Sequence, residues 1–126
     1  MFETTRAFSS FAVPDTEEAQ RFYGETLGVR TEVYDEANGI LALHLAEGRD
    51  VMLYRKPDFT PATYTVLNFE VDDIDAAAEA LSERGVEFER YDGFDQDEQG
   101  ITRGPGPSIA WFKDPAGNIL SVLAQP

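Results

Sequence analysis

The chain carries a second copy of part of itself. Phe11, Val13, Asp15 and Ala19 recur as Phe69, Val71, Asp73 and Ala77, each 58 residues later. Past the segment that follows, Leu27-Gly28-Val29 is answered by Arg84-Gly85-Val86, 57 residues on. One repetition within 126 residues excludes a solenoid, which needs three or more units to bury a continuous core. The repeat predicts one domain made of two like modules, about 1–57 and 62–126, facing each other. Paired modules leave a cleft between them, and small molecules bind preferentially in such clefts.

Charge narrows the partners. Ten basic side chains stand against 24 acidic ones, a formal net charge of −14. Such a surface repels phosphate backbones, so no nucleic-acid partner is expected. It keeps the chain in solution and would draw in a cationic ligand. There is no cysteine, hence no disulfide, thiolate metal site or thiol nucleophile, as in a reducing cytoplasm. No basic segment followed by an apolar run opens the sequence, so no secretory signal is expected. No apolar stretch has the length of a membrane span.

Patterning divides each half into β-α-β-β-β. Residues 7–13 are strand-like, and Pro14-Asp15 opens a helix to about Leu27. Asp15 or Thr16 is placed to cap its free N–H groups, with Glu17 and Glu18 at the positive end of its dipole. Ala19, Phe22, Tyr23 and Leu27 form its buried stripe, and Gly28 stops it. Strands are predicted over 29–35, 40–46 and 50–55, with Gly39 and Gly48 in the turns between them. The alternation in 40–46 puts the leucines on one face and Ala42 and His44 on the other. In the second half the strand 63–71 leads to a helix over 73–84. Its inner face is read as Ala76, Ala77, Ala80 and Leu81. Strands over 86–91, 109–113 and 117–124 follow. Residues 92–108 form a long loop rich in Gly and Asp, read as a mobile flap. Asp72, Asp73 and Asp75 suit a helix cap and first turn better than a calcium loop.

This unit and its motifs resemble the vicinal oxygen chelate superfamily of glyoxalase I, extradiol dioxygenases and bleomycin resistance proteins. The resemblance rests on Phe11-Ala12-Val13-Pro14-Asp15, Phe22-Tyr23 and Leu27-Gly28-Val29 in the first half. In the second it rests on Phe69-Glu70-Val71-Asp72-Asp73, Gly85-Val86 and the turn Asp114-Pro115-Ala116-Gly117-Asn118. It implies an α+β fold of two β-α-β-β-β modules forming a concave mixed-sheet cup. It also implies one divalent metal held on four positions by His, Glu or Gln. By register those positions fall on Phe8, Leu53, Val66 and Ser121, where no set of metal ligands stands. No metal and no other cofactor is therefore expected.

Strand alternation from the same positions predicts the concave face. It assigns Phe8, Ser10 and Ala12 to that face from the first strand, and Leu53 and Arg55 from the fourth. Val66, Asn68 and Glu70 join them from the fifth, and Ile119, Ser121 and Leu123 from the last. His44, the only histidine, and Trp111, the only tryptophan, complete the candidates. The ligand-binding set is thus Phe8, Ser10, His44, Leu53, Arg55, Asn68, Glu70, Trp111 and Ser121. No nucleophile–base arrangement or phosphate loop is visible, so no catalytic residue is assigned.

The expected function is metal-independent binding of a small molecule, sequestering a cationic or aromatic compound. The alternative is a lyase or isomerase of the same superfamily working without its metal. Relatives commonly pair, so a homodimer is expected, with Phe2, Phe59 and Trp111 as interface material. Asp92, Asp95, Asp97 and Glu98 on the flap are read as the groups that attract a cation.

Overall fold

An aspartate ends the first strand of each half and starts its helix. Asp15 accepts hydrogen bonds from the Glu17 and Glu18 amides at 2.9 and 3.2 Å, and Asp73 accepts one from Ala76 at 3.0 Å. These carboxylates satisfy donors that the first helical turn leaves free. The computed structural model describes residues 1–126, which divide into two compact units, Met1–Thr60 and Pro61–Pro126.

The first unit holds β1 (Ser9–Val13), α1 (Thr16–Arg21), β2 (Arg30–Asp35), β3 (Ile40–His44) and β4 (Val51–Arg55). Its strand order is β1-β4-β3-β2, with β1 parallel to β4 and the other pairs antiparallel. The helix expected to reach Leu27 is α-helical only to Arg21. Phe22–Thr26 then forms a wider π turn, in which the Leu27 amide bonds the Phe22 carbonyl at 3.0 Å. That turn buries Tyr23 completely and sets it edge-on to Phe11 at 6.2 Å. Phe11, Val13, Leu41, Leu43, Val51 and Leu53 are buried with it as the core of this unit.

One expectation fails here. Alternation assigns Leu53 to the open face with Ser10, but β4 is one residue out of that register. Phe11 pairs with Leu53, and Ser10 pairs with Met52. Cross-strand partners share a face, so Leu53 lies under the helix beside Phe11 and is fully buried. Arg55 moves with it, paired to Val13. A shift of one residue exchanges the two faces of a strand completely.

The second unit holds β5 (Thr65–Glu70), α2 (Ile74–Glu83), β6 (Ser108–Lys113) and β7 (Ile119–Ala124), in the order β5-β7-β6. β5 and β7 are parallel, with Val66 the extra residue of a bulge. Ile74 and Ala78 are the buried residues of α2, with Ala77 and Leu81 half-buried. Ala76, expected on the inner face, is exposed, because the stripe runs at i, i+3, i+4 and i+7 from Ile74. Ala110, Phe112, Leu120, Val122 and Ala124 are the buried apolar strand residues of this core.

The strand expected over 86–91 is reduced to a single bridge, Phe88 to Phe112. Beyond it the polar backbone is taken up by a side chain. The Gln96 amide donates to the Glu89 carbonyl at 2.9 Å and accepts from the Tyr91 N–H at 2.8 Å. A fourth ladder therefore gives way to the loop over 92–108. That loop is not an open flap. The amide of Gln96 also donates to the Gly100 carbonyl at 2.9 Å, and Asp97 accepts from the Gln99 and Ile101 amides, each at 2.9 Å. Thr102 and Ile109 exchange backbone bonds of 2.9 and 3.0 Å, and Ile101 is buried. Arg103 pairs with Asp97 and with Asp75 of α2.

The Asp114–Asn118 turn closes the unit. Asp114 is buried, and its carboxylate accepts from the Ala116 and Asn118 amides at 3.0 and 2.8 Å. Gly117 takes φ +94°, as the turn requires. In the β2–β3 turn Gly39 takes φ +69°, and a Cβ there would stand 2.6 Å from the Arg55 Cβ. A Gly39→Ala variant is expected to lose about 1–3 kcal/mol from left-handed strain, with more from the collision. Its urea midpoint should fall at unchanged slope.

Candidate functional site

The face opposite each helix is where the sheets place their polar side chains. In the first unit, register puts Ser10, Ala12, Met52 and Tyr54 together with Ala42, His44, Arg30 and Glu32 on that face. His44 sits between two carboxylates. Its Nδ1 lies 3.0 Å from Asp50 Oδ1 and its Nε2 lies 2.9 Å from Glu32 Oε1. The side chain is 12% exposed, and Tyr34 packs its ring 6.3 Å away. The bonds to Asp50 and then Glu32 raise the His44 pKa above the usual histidine range, against a small opposing effect of burial and Arg30. With a carboxylate on each nitrogen, His44 has no free lone pair to act as a general base. It is a polar clasp across β2, β3 and the start of β4.

In the second unit the same face carries Asn68 and Glu70 from β5, Ser121 and Leu123 from β7, and Ile109 and Trp111 from β6. Ser121 is fully buried between its two cross-strand partners, Asn68 and Trp111. Its hydroxyl donates to Asn68 Oδ1. Trp111 is half-buried and joins an aromatic cluster, with Phe94 at 4.9 Å and Tyr91 at 5.5 Å between ring centroids. Phe94 is 52% exposed at the loop surface. The Tyr91 hydroxyl is buried with no hydrogen-bond partner. Burial, aided by Glu89, raises its pKa and keeps it a neutral donor.

The candidates therefore separate. Asn68, Trp111 and Ser121 form one contiguous group, with Glu70 exposed at the end of β5. Ser10 and His44 share the corresponding face of the first unit, and Phe8, just before β1, is 67% exposed. Leu53 belongs to the core. Arg55 donates to the Ala37 carbonyl at 2.7 Å, over the β2–β3 turn. Asp97, expected to attract a cation, is committed to backbone amides and Arg103. Sequence reasoning missed Tyr91 and Phe94, whose signal was two aromatics set in an otherwise polar, glycine-rich stretch. It also missed Glu32 and Asp50, which come beside His44 only through the registers of the two hairpins.

The superfamily's metal does not fit these residues. The repeat also corrects the fourth position. Ser10 pairs with Met52 as Asn68 pairs with Ser121, so Met52, and not Leu53, is the counterpart of Ser121. Phe8, Met52, Val66 and Ser121 offer no imidazole or carboxylate, and Ser121 is already bonded to Asn68. No group of three or more His, Cys, Asp or Glu side chains is arranged to hold a metal ion.

The family model for the Glyoxalase/Bleomycin resistance protein/Dioxygenase superfamily matches residues 7–122. The chain belongs to this superfamily. No curated protein matches it. Among solved structures it is similar to a glyoxalase-family protein from Bacillus anthracis, at 22% identity and TM-score 0.76 over 100% of both chains. It is similar to TnmS3, an antibiotic-binding protein from Streptomyces sp. CB03234, at 28% identity and TM-score 0.71 over 98% of both. The fosfomycin resistance protein FosX from Listeria monocytogenes shares the fold at 15% identity and TM-score 0.72, over 98% of this chain and 92% of its own. No helix of this superfamily member is long and apolar enough to cross a membrane.

The His44 clasp has a pH signature. A raised native pKa gives stability that is complete below the unfolded histidine value of about 6.5 and is lost as pH rises through the native pKa. The difference in melting temperature between the wild type and His44→Gln should be largest near pH 5.5 and shrink above pH 7. A difference that stays flat from pH 5.5 to 9 would show that folding does not shift the His44 pKa.

Proposed function

We propose that this chain binds a flat aromatic small molecule and sequesters it without the metal used by enzymes of its superfamily. The observation that carries the reading is the Trp111–Phe94–Tyr91 cluster beside Asn68 and Ser121, at a place where relatives would present metal ligands. Aromatic faces supply sequence-tolerant contact area, and a few polar groups orient the ligand. With its Oδ1 engaged by Ser121, the Asn68 amide offers N–H donors to such a ligand. TnmS3, similar over nearly the whole chain, is an antibiotic-binding protein, which supports the same class of role here. The net charge of −14 favours a cationic ligand by steering its approach. The carboxylates on both nitrogens of His44 count against a lyase or isomerase built on that residue. The working form on this reading is a cytoplasmic homodimer, as expected from the absence of cysteine and from the exposed Phe2.

Trp111, being the only tryptophan, makes its own reporter. Proflavine, a flat aromatic cation, should quench its fluorescence saturably, and chelator should not change the affinity. Phe94→Ala should weaken binding about tenfold, the value of one lost aromatic contact. Absence of saturable binding, or binding that chelator abolishes, would overturn the reading. For assembly, light scattering at micromolar concentration should return twice the 14.0 kDa chain mass. A value of one chain mass would remove the dimer.

A further inference from the structure

Three asparagines occur in the chain, and the residues that follow set them apart. Asn68 precedes Phe69 and Asn118 precedes Ile119, whereas Asn38 precedes Gly39. A backbone nitrogen can attack the side-chain carbonyl carbon of the asparagine before it, and a Cβ on the attacking residue hinders the approach. Glycine has no Cβ. Surroundings add to the contrast. Asn118 is 2% exposed and Asn68 lies within β5, but Asn38 is exposed in the turn over 36–39.

The turn holds the two reacting groups unequally. Asp35 ends β2 and pairs with Ile40 across the hairpin. Its carboxylate accepts from the Asn38 side-chain amide at 2.7 Å and from the Asn38 backbone N–H at 3.0 Å. The attacking group, the Gly39 N–H, donates to the Glu36 carbonyl at 3.3 Å, a long bond. The electrophile is thus tied firmly, and the nucleophile only loosely.

We propose that Asn38 is a site of spontaneous deamidation, with Asp35 restraining its rate and the product loosening the β2–β3 hairpin. The Gly39 nitrogen gives its proton to solvent base and bonds to Asn38 Cγ. The Cγ–Nδ2 bond breaks, and the nitrogen takes a proton from water and leaves as ammonia. Water then opens the cyclic imide at either carbonyl, giving aspartate or the isomer whose backbone runs through the former side chain. No group is oxidised or reduced. Aspartate places a carboxylate where an amide donor met Asp35, so a hydrogen bond becomes a like-charge contact. The isomer inserts a methylene into a tight turn, next to Gly39 at φ +69° beneath Arg55. Both outcomes are irreversible without repair, so the hairpin records the age of the molecule.

The test is mass-spectrometric peptide mapping of the full chain, incubated folded in mildly alkaline, oxygen-labelled water. Conversion with uptake of label should occur at Asn38 and not at Asn68 or Asn118. Asp35→Ala should speed it about fivefold, as the loss of one exposed hydrogen bond would. Should Asp35→Ala prove unfolded, Asp35→Asn, which keeps a neutral acceptor, takes its place with a smaller acceleration expected. Asn38→Asp, made directly, should have a lower urea midpoint and lose amide-exchange protection over 33–41. Absence of conversion at Asn38 in the folded chain would overturn the proposal. So would a rate unmoved or lowered in the folded Asp35 variant, or an Asn38→Asp hairpin as protected as the wild type.

Discussion

The parallel pairing of β1 with β4, repeated as β5 with β7, is the constraint that organises everything else. Its register decides which side chains of each inner strand meet the helix and which face away. In the first unit it joins Phe11 to Leu53 and Ser10 to Met52; in the second it joins Phe69 to Val122 and Asn68 to Ser121. The first couple in each unit faces the helix, and the second faces away from it. No substitution on one face can be understood without that parity, since a slip of one residue would bury Ser10 and expose Phe11.

Most of the architecture was legible because it depends on short-range chemistry. The Asp15 and Asp73 caps, the left-handed glycines and the alternation in β3 are written in neighbouring residues. Register between strands far apart in sequence is not. β4 reads Val-Met-Leu-Tyr-Arg, apolar at successive positions, so alternation could not say whether Met52 or Leu53 turned inward. Asn68, Ser121 and Trp111 stand out in the sequence because polar or amphipathic residues interrupt strands that are otherwise apolar. The edge of the second sheet escaped because a side chain, Gln96, does the work of a neighbouring strand. Backbone pairing by a distant amide leaves no periodicity to detect.

The two halves use their non-core faces differently. The first invests in charge, with His44 tied to Glu32 and Asp50. The second invests in aromatic surface around a buried hydroxyl, with Ser121 joined to Asn68. Both arrangements stand on the same pseudo-repeated framework, and neither supplies a metal ligand set. A fold whose helix side is fixed by packing tolerates this divergence, because the outward residues answer to solvent and ligand rather than to the core.

The loop over 92–108 has a consequence for how such a protein changes. Its shape is set by Gln96, Asp97, the Thr102–Ile109 pair and the buried Ile101. Phe94, Asp95 and the tip over 104–107 are exposed and outside those bonds. The segment is therefore a cassette with a fixed chassis and interchangeable trim. Substitutions at Phe94 or along 104–107 change the surface of the loop without touching the bonds that hold its frame, which makes it the natural place for sequence change to accumulate, in evolution or by design.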